Sequence, residues 1–407
     1  MKSVLSLTVI QAANFILPLF SVPWLTRSLG ITAWGEVAYV IFAMQFFLVL
    51  TDYGFSLSAV RSIARAREEP DAVSTIFSAC WSLQWLLLAC VAVVTMVGFK
   101  ILGVNYAYLV GFSLVLGNIL FPMWLFQGLE KLKVPALVQL LSRLTMLVLI
   151  FATVTGPEDA WLALLFLTGH NLIAGPILLI WAFTRQHVTY ATPNLTAIWK
   201  NAAEGWGIFV SKILISSYTS LIPFALGSVA GSESVGLYYV ADKIRVATSY
   251  VLSPLSLALF PHASNLFKKD RAAASRLVFK YGLVLFLLSF LFSAILLYLS
   301  KFIIDIIAGE EFQAVVPILQ IMAMTPTLVS ISNIIGVQIL LPLGRTKEFN
   351  RSIKIGSIFA LLSIWPMVIW LDAAGAAIVS TLAEAVVSAA MAFYLISSVR
   401  NSRNAKA

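Results

Sequence analysis

Runs of roughly 20 apolar residues follow one another from one end of this chain to the other, and each is long enough to cross a bilayer as a helix. They cover 6–27, 36–58, 74–98, 105–127, 135–155, 160–184, 204–226, 236–260, 277–299, 313–341, 354–371 and 374–397. Such a chain has few options, because in lipid every backbone N–H and C=O has to be satisfied internally, by helices or by a closed barrel. No segment alternates apolar and polar residues in the ten-residue units of a membrane barrel. Charged residues make up 11% of the chain, against about 25% in a soluble domain, too few to cover a water-facing surface. The expected fold class is an all-α polytopic membrane protein of about twelve transmembrane helices. The first run follows Lys2 like a signal peptide. Its length, the absence of a small-residue cleavage site and the many later runs make it a retained helix. The run 313–341 holds Pro317, Pro326 and Gly336 and is expected to kink or break.

Orientation follows from the basic residues. Of 27 Lys and Arg, all but seven fall in alternate loops, from Lys2 through Arg61, Arg65, Arg67, the 268–280 segment and the 345–354 segment to Arg400, Arg403 and Lys406. Arg27, Lys100 and Lys301 lie on the opposite side. Cytoplasmic loops carry the excess of Lys and Arg, so both termini are expected in the cytoplasm. The same bias accounts for the net charge of +9 without a nucleic-acid partner. The outer loops are short and no soluble domain is inserted. There is no Gly-rich phosphate loop and no nucleophile motif, the three histidines lack ligand spacing, and neither a metal nor a cofactor is called for. Cys80 and Cys90, on one helix, stand about 15 Å apart, too far for a disulfide.

The longest inner link, RQHVTYATPNLTAIWK (185–200), divides the chain into halves of similar length, 1–190 and 191–407. A faint repeat joins them: GEVAYVIFAMQFFLVLTDYGFSLSAV (35–60) aligns without a gap on GLYYVADKIRVATSYVLSPLSLALFP (236–261), an offset of 201. Two parallel six-helix bundles meeting around a central cavity are expected.

Four basic residues, Arg143, Lys212, Lys243 and Arg245, fall inside apolar runs. A charge at a helix centre costs about 2.5–3.5 kcal/mol on insertion scales, so these side chains should face protein or a wet cavity. Spacing agrees. Tyr238, Asp242, Arg245, Ser249, Ser253 and Ser256 follow i, i+4, i+7, i+11, i+15 and i+18, one polar stripe, in which Asp242 and Arg245 can pair. Lys243 lies about 100° round the helix from that stripe. Lys212, Ser216 and Thr219 share a face, as do Gln139 with Arg143, and Ser380 with Glu384 and Ser388. Asp52 stands near the inner end of the second run. Gln11, Asn14 and Pro18 lie along the first, which ends at Arg27. Each has a plain structural counterpart: a packing pair for Asp242–Arg245, snorkelling for Arg27, a protonated, bonded carboxyl for Glu384. Lys212 and Arg143 have no acidic residue one helical turn away. Cations outnumber carboxylates, and a weakly cationic cavity suits an anionic substrate. Phosphate, with Arg as its forked partner, is the obvious candidate.

Several stretches, in order, resemble the O-antigen flippases of the Wzx type, within the superfamily that includes the MATE exporters and lipid II flippases. They are NFILPLFSVPWLTRSLG (14–30), DYGFSLSAVRSIA (52–64), FPMWLFQGLEKLK (121–133), GLYYVADKIR with PLSLALFPHAS (236–264) and GVQILLPLGRTKEF (336–349). The resemblance implies translocation, without bond chemistry, of an undecaprenyl-diphosphate-linked oligosaccharide across the bacterial inner membrane by alternating access. It implies membrane lipid as a second partner, and a glycan polymerase and chain-length regulator as further ones. Carried over by position, Arg27, Asp52, Arg143, Asp242, Arg245 and Glu384 fall where such flippases place polar cavity or motif residues. The expected substrate residues are therefore Arg27, Arg143, Lys212, Lys243 and Arg245, with Asp52, Asp242 and Glu384 as carboxylates for ion coupling and Asn14, Gln139, Tyr238 and Ser249 as polar lining. The rivals are a cation-coupled drug exporter of the same superfamily, which would favour an acidic or aromatic cavity, and a membrane glycan polymerase, which would want a long outer loop with catalytic groups.

Overall fold

A computed structural model describes the backbone of residues 2–102 and 106–404, and the side chains of 20–98 and 106–397 apart from 211, 217, 218, 254, 257, 258, 261 and 268. Every regular element among the described residues is helical. In chain order they are α1 (Lys2–Asp52), α2 (Ser58–Ala66), α3 (Pro70–Leu102), α4 (Ala107–Leu120), α5 (Met123–Gly128), α6 (Lys133–Thr153), α7 (Ala160–Thr168), α8 (His170–Arg185), α9 (Leu195–Thr219), α10 (Leu221–Tyr250), α11 (Ser253–Lys269), α12 (Arg271–Tyr298), α13 (Ser300–Ile307), α14 (Val315–Met322), α15 (Thr325–Ser332), a π-helix at Asn333–Leu340, and α16 (Thr346–Asn404). The chain divides into two compact units, Met1–Ser216 and Ser217–Ala407.

Nine helical stretches among the described residues are long and apolar enough to cross a membrane. Two of them, 56 and 52 residues long, exceed twice the ~30 Å of a hydrocarbon core at 1.5 Å per residue. These two break from helical geometry at Gly231 and at Asp372, and α1 breaks at Gly30. Divided at those three residues, the stretches overlap the apolar runs of the sequence, the first run only over 20–27. The run at 313–341 does break. α14 gives way to α15 just before Pro326, and π-helical backbone takes over from Asn333.

Gly30 and Gly231 are themselves separated by the offset of the sequence repeat. Gly30 has φ 70°, ψ 177° and Gly231 φ 83°, ψ 177°, a region open essentially to glycine alone. Each corner is followed by a helix that breaks again after about six turns, at Tyr53–Leu57 in the first unit and Val251–Leu252 in the second, and continues as α2 or α11. The weak repeat is thus a repeat of backbone geometry.

In the first unit, Phe55, Phe77, Trp124, Leu125 and Phe126 form a buried core with Ile63 and Leu178. Small residues let helices approach where side chains would not fit. A Cβ on Gly175 would lie 2.6 Å from Leu120 Cβ, and one on Gly117 3.0 Å from Asn171 Cβ, so α4 and α8 nearly touch. In the second unit α16 packs back on itself, with Gly356 so close to Val387 that a Cβ would stand 2.3 Å from its Cγ2. Outside these seams the helices expose large apolar side chains, such as Val93, Val94 and Met96 on α3 and Phe279, Leu287 and Leu291 on α12. Such a surface suits lipid and not water. Both cysteines are free, Cys80 buried and Cys90 exposed.

Candidate functional site

The intramembrane charges gather in three places. The first lies where α1 ends. Tyr53 (φ 47°) and Gly54 (φ 80°) turn the chain sharply. Asp52 closes that turn, its Oδ2 accepting from the Gly54 N–H at 3.2 Å and the Ser56 hydroxyl at 3.2 Å. The same oxygen accepts from Lys212 Nζ of α9 at 2.5 Å, and Lys212 also meets Ser56 Oγ. The expected cavity cation Lys212 therefore has its carboxylate after all, far away in sequence. α9 is brought in by further fits: Tyr53 stacks on Phe209 with ring centroids 4.5 Å apart, and Ser62 donates to Glu204 at 3.0 Å. A side chain on Gly54 would collide with Ile208, and one on Gly205 would press on the Tyr53 carbonyl.

The second place is Arg143 on α6. It lines a cavity of about 50 Å³ with Ser21, Met146, Ile150, Phe166 and His170. This is room for water. Arg143 makes no ion pair among the described residues, and its buried Nε has no hydrogen-bond partner there. His170 Nε2 is buried without a hydrogen-bond partner. Gln139 Oε1 and Asn171 Oδ1, both on buried side chains, are unsatisfied as well. Gln139 was legible from its spacing to Arg143. His170 was not, because it sits on α8 and only packing brings it here; Asn171 stands instead against Gly117 of α4.

The third place is the stripe on α10. Asp242 Oδ1 accepts from Arg245 Nε at 3.1 Å and from a terminal guanidinium nitrogen at 2.6 Å, the expected i, i+3 pair. Tyr238 is buried and hydrogen-bonds with Ser380. Glu384, one turn further along α16, stands within electrostatic reach of Arg245. Ser249 donates to the Arg245 carbonyl at 3.0 Å and so turns back on its own helix. Lys243 leaves the stripe, as its angle requires, and lies 4.6 Å over the Tyr239 ring. Ser253 and Ser256, expected on the same stripe, lie past the break at Val251–Leu252 on α11; there Ser256 donates to Asn333 Oδ1 at 2.5 Å and accepts from Gln338 at 2.9 Å. Asn333 and Gln338 were missed by spacing arguments because π-helical backbone shifts which side chains share a face. Arg27 is exposed, beside the Gly30 corner. Asn14 lies outside the described side chains. Among the described residues no group of His, Cys, Asp and Glu could hold a metal ion.

With the charges placed, comparison with known proteins identifies the lineage. The family described as "Polysaccharide biosynthesis protein" matches residues 1–267, more than half of the chain. The chain belongs to the polysaccharide biosynthesis protein family. Within it, the "Putative O-antigen transporter" of Escherichia coli (strain K12) is 31% identical over 406 residues, covering 99% of this chain and 97% of its own. Its namesake from Shigella dysenteriae is 29% identical over 377 residues, covering 92% and 94%. Solved structures share the fold. An inward-facing multidrug resistance MATE family transporter of the MOP superfamily superposes with a TM-score of 0.73 at 11% identity, covering 99% of both chains. Lipid II flippase MurJ, in an inward closed conformation, gives 0.74 at 12% identity, covering 95% of this chain and 87% of its own. The Asp52 cluster, Arg143 and the Asp242–Arg245 pair all fall within the stretch that matches the polysaccharide biosynthesis family; Glu384 lies beyond it.

Proposed function

We propose that this protein is a flippase, not an enzyme. It carries undecaprenyl-diphosphate-linked oligosaccharide units of O-antigen or a related polysaccharide from the cytoplasmic to the periplasmic face of the bacterial inner membrane. The observation that carries this reading is the relationship, over nearly the full length of both chains, to an O-antigen transporter. The charged residues inside apolar helices support it, since a carrier of a diphosphate needs cations where lipid would otherwise exclude them. Two six-helix halves, 1–190 and 191–407, alternate in access around a cationic cavity, with both termini in the cytoplasm. The polyprenyl tail stays in lipid. A glycan polymerase and a chain-length regulator act on the delivered units.

The structure sharpens the proposed roles. Arg245 and Lys212 rest against Asp242 and Asp52, so in each case a phosphate has to compete with a carboxylate. That competition gives weak, reversible capture, as transport requires. Arg143 makes no ion pair among the described residues, and it is the better anchor for a neighbouring sugar or phosphate oxygen reached through water. Lys243 on Tyr239, Arg27 at the corner and Glu384 near Arg245 complete the proposed set, with Asn14, Gln139, Tyr238 and Ser249 as polar lining.

The test is a mass spectrum of lipid-linked oligosaccharides from cells with and without the protein, with a membrane-impermeant glycosidase to score the face they occupy. Complete units should accumulate on the cytoplasmic face without the protein and reach the periplasmic face when it is restored. Units that reach the periplasm regardless would refute the reading and turn attention to efflux of cationic drugs.

A further inference from the structure

Asp270 joins α11 to α12 in a tight hairpin, its Oδ1 accepting from the N–H groups of Ala272 and Ala273 at 2.9 and 3.0 Å. One seam of the hairpin is closed: Ala263, Phe267, Ala274 and Val278 pack against Ile334, Ile339 and Leu343. The neighbouring faces leave an open groove of about 640 Å³, within the ~300–1,000 Å³ of ligand pockets. Its α11 wall is Leu255, Leu259, His262, Leu266 and Lys269, spaced i, i+4, i+7, i+11 and i+14, one helix face. Its α12 wall is Leu277, Tyr281, Val284 and Leu285, again one face.

The groove is graded in chemistry. Leu255, Leu259, Val284 and Leu285 make the end away from the turn entirely apolar. His262, Asn265, Lys269 and Tyr281 gather toward the turn, where the sequence adds Lys268, Arg271, Arg276 and Lys280 against the single carboxylate of Asp270. The fourteen helical rises from Leu255 to Lys269 span about 21 Å, somewhat more than half of a ~30 Å hydrocarbon core. An apolar slot one leaflet deep, with a cationic, hydrogen-bonding mouth on the positively charged side of the membrane, matches a lipid whose chain is one leaflet long and whose head is anionic. Basic pockets between helices on the cytoplasmic side bind anionic head groups.

We propose that this groove is a binding site for an anionic glycerophospholipid, with one acyl chain along the leucine floor and the phosphate at Lys269 and His262. The site is separate from the charged clusters above and does not depend on what the protein transports. The polyprenyl tail of the proposed substrate is too long for a slot of this depth.

Native mass spectrometry of the purified full-length protein tests it, with phosphatidylglycerol, phosphatidylcholine or undecaprenyl phosphate added at equal concentration. One phosphatidylglycerol should be retained in preference to phosphatidylcholine. Lys269→Gln should weaken that retention about fivefold, as loss of one cation at an anionic head group does, and Val284→Trp should block it. Lys301→Gln, an exposed cation outside the groove, should retain the lipid as the parent does. Lys269 is exposed, so its loss leaves the core intact and the comparison holds even if the tryptophan variant fails to fold. Equal retention of the two phospholipids, or equal behaviour of the Lys269 and Lys301 variants, would overturn the proposal. So would undecaprenyl phosphate displacing phosphatidylglycerol mole for mole, which would assign the groove to the substrate's own lipid.

Discussion

Asp52 and Asp242 each accept from a cation inside the membrane-spanning region, but Lys212 is 160 residues from Asp52 whereas Arg245 is three from Asp242. The difference decides what each pair can report. An i, i+3 pair forms in any helix that contains it, so Asp242–Arg245 survives changes in how helices pack. Asp52–Lys212 exists only while α9 lies against the turn after α1. Truncating one partner leaves a poorly solvated charge without its mate, which costs about 1–3 kcal/mol. Asp52→Asn should therefore lower the thermal unfolding midpoint of the purified protein, and Lys212→Met in the same chain should restore most of it. A double variant no more stable than Asp52→Asn alone would mean that the pair does not hold α9 in place. Arg245 should behave differently. Arg245→Lys keeps the charge but loses the two-nitrogen grip on Asp242, and lysine does not reproduce the planar fork that suits phosphate. Expression and stability should stay near the parent's while delivery of lipid-linked oligosaccharide to the periplasmic face falls about tenfold, roughly the 1.4 kcal/mol of one charge-assisted hydrogen bond. Undiminished delivery would remove Arg245 from the substrate path.

Helices here are defined as much by their corners as by their apolar faces. Gly30 and Gly231 occupy the same sparsely populated backbone region, and a Cβ at either would meet nothing within 4 Å. Alanine at either position is therefore a test of backbone strain alone, expected to cost about 1–3 kcal/mol. The two variants should lower the unfolding midpoint by similar amounts, and a large effect at one with none at the other would break the equivalence of the corners. The apolar runs placed the long spanning helices, because length and hydrophobicity are properties of a segment by itself, but not α13, most of α2 or the first nine residues of α9. The 201-residue repeat was visible only as weak similarity, since the constraint behind it is one backbone angle at one glycine and most other positions are free to drift. The Tyr238–Ser249 part of the stripe was readable for the same reason as the runs, because its members lie on one helix; its extension to Ser253 and Ser256 fails because the helix breaks after Tyr250. Lys212 with Asp52, and Arg143 with His170, were not readable as sets, because each joins helices that only tertiary packing brings together. The Ser256–Asn333–Gln338 cluster was hidden further, behind π-helical backbone that no 3.6-residue period anticipates.

For the whole molecule the energetic question is what drives cargo outward. A head group that crosses with uncompensated negative charge moves with the field of an energised bacterial membrane and gains about 2.3 kcal/mol per charge per 100 mV. That corresponds to about fiftyfold in the ratio of outer to inner concentration for each charge. If Arg143, Lys212 and Arg245 line the path as proposed, they stay with the protein, so they lower the barrier for an anionic head group without cancelling its charge between end states. Transport in proteoliposomes should therefore respond to an imposed potential, positive outside, with no pH or sodium gradient present. It should reverse when the potential is reversed, and Asp52→Asn and Asp242→Asn should change its rate but not its dependence on voltage. Transport indifferent to potential but lost when a proton or sodium gradient is collapsed would show that a cation accompanies the head group. Glu384, within electrostatic reach of Arg245, would then be the first residue to examine.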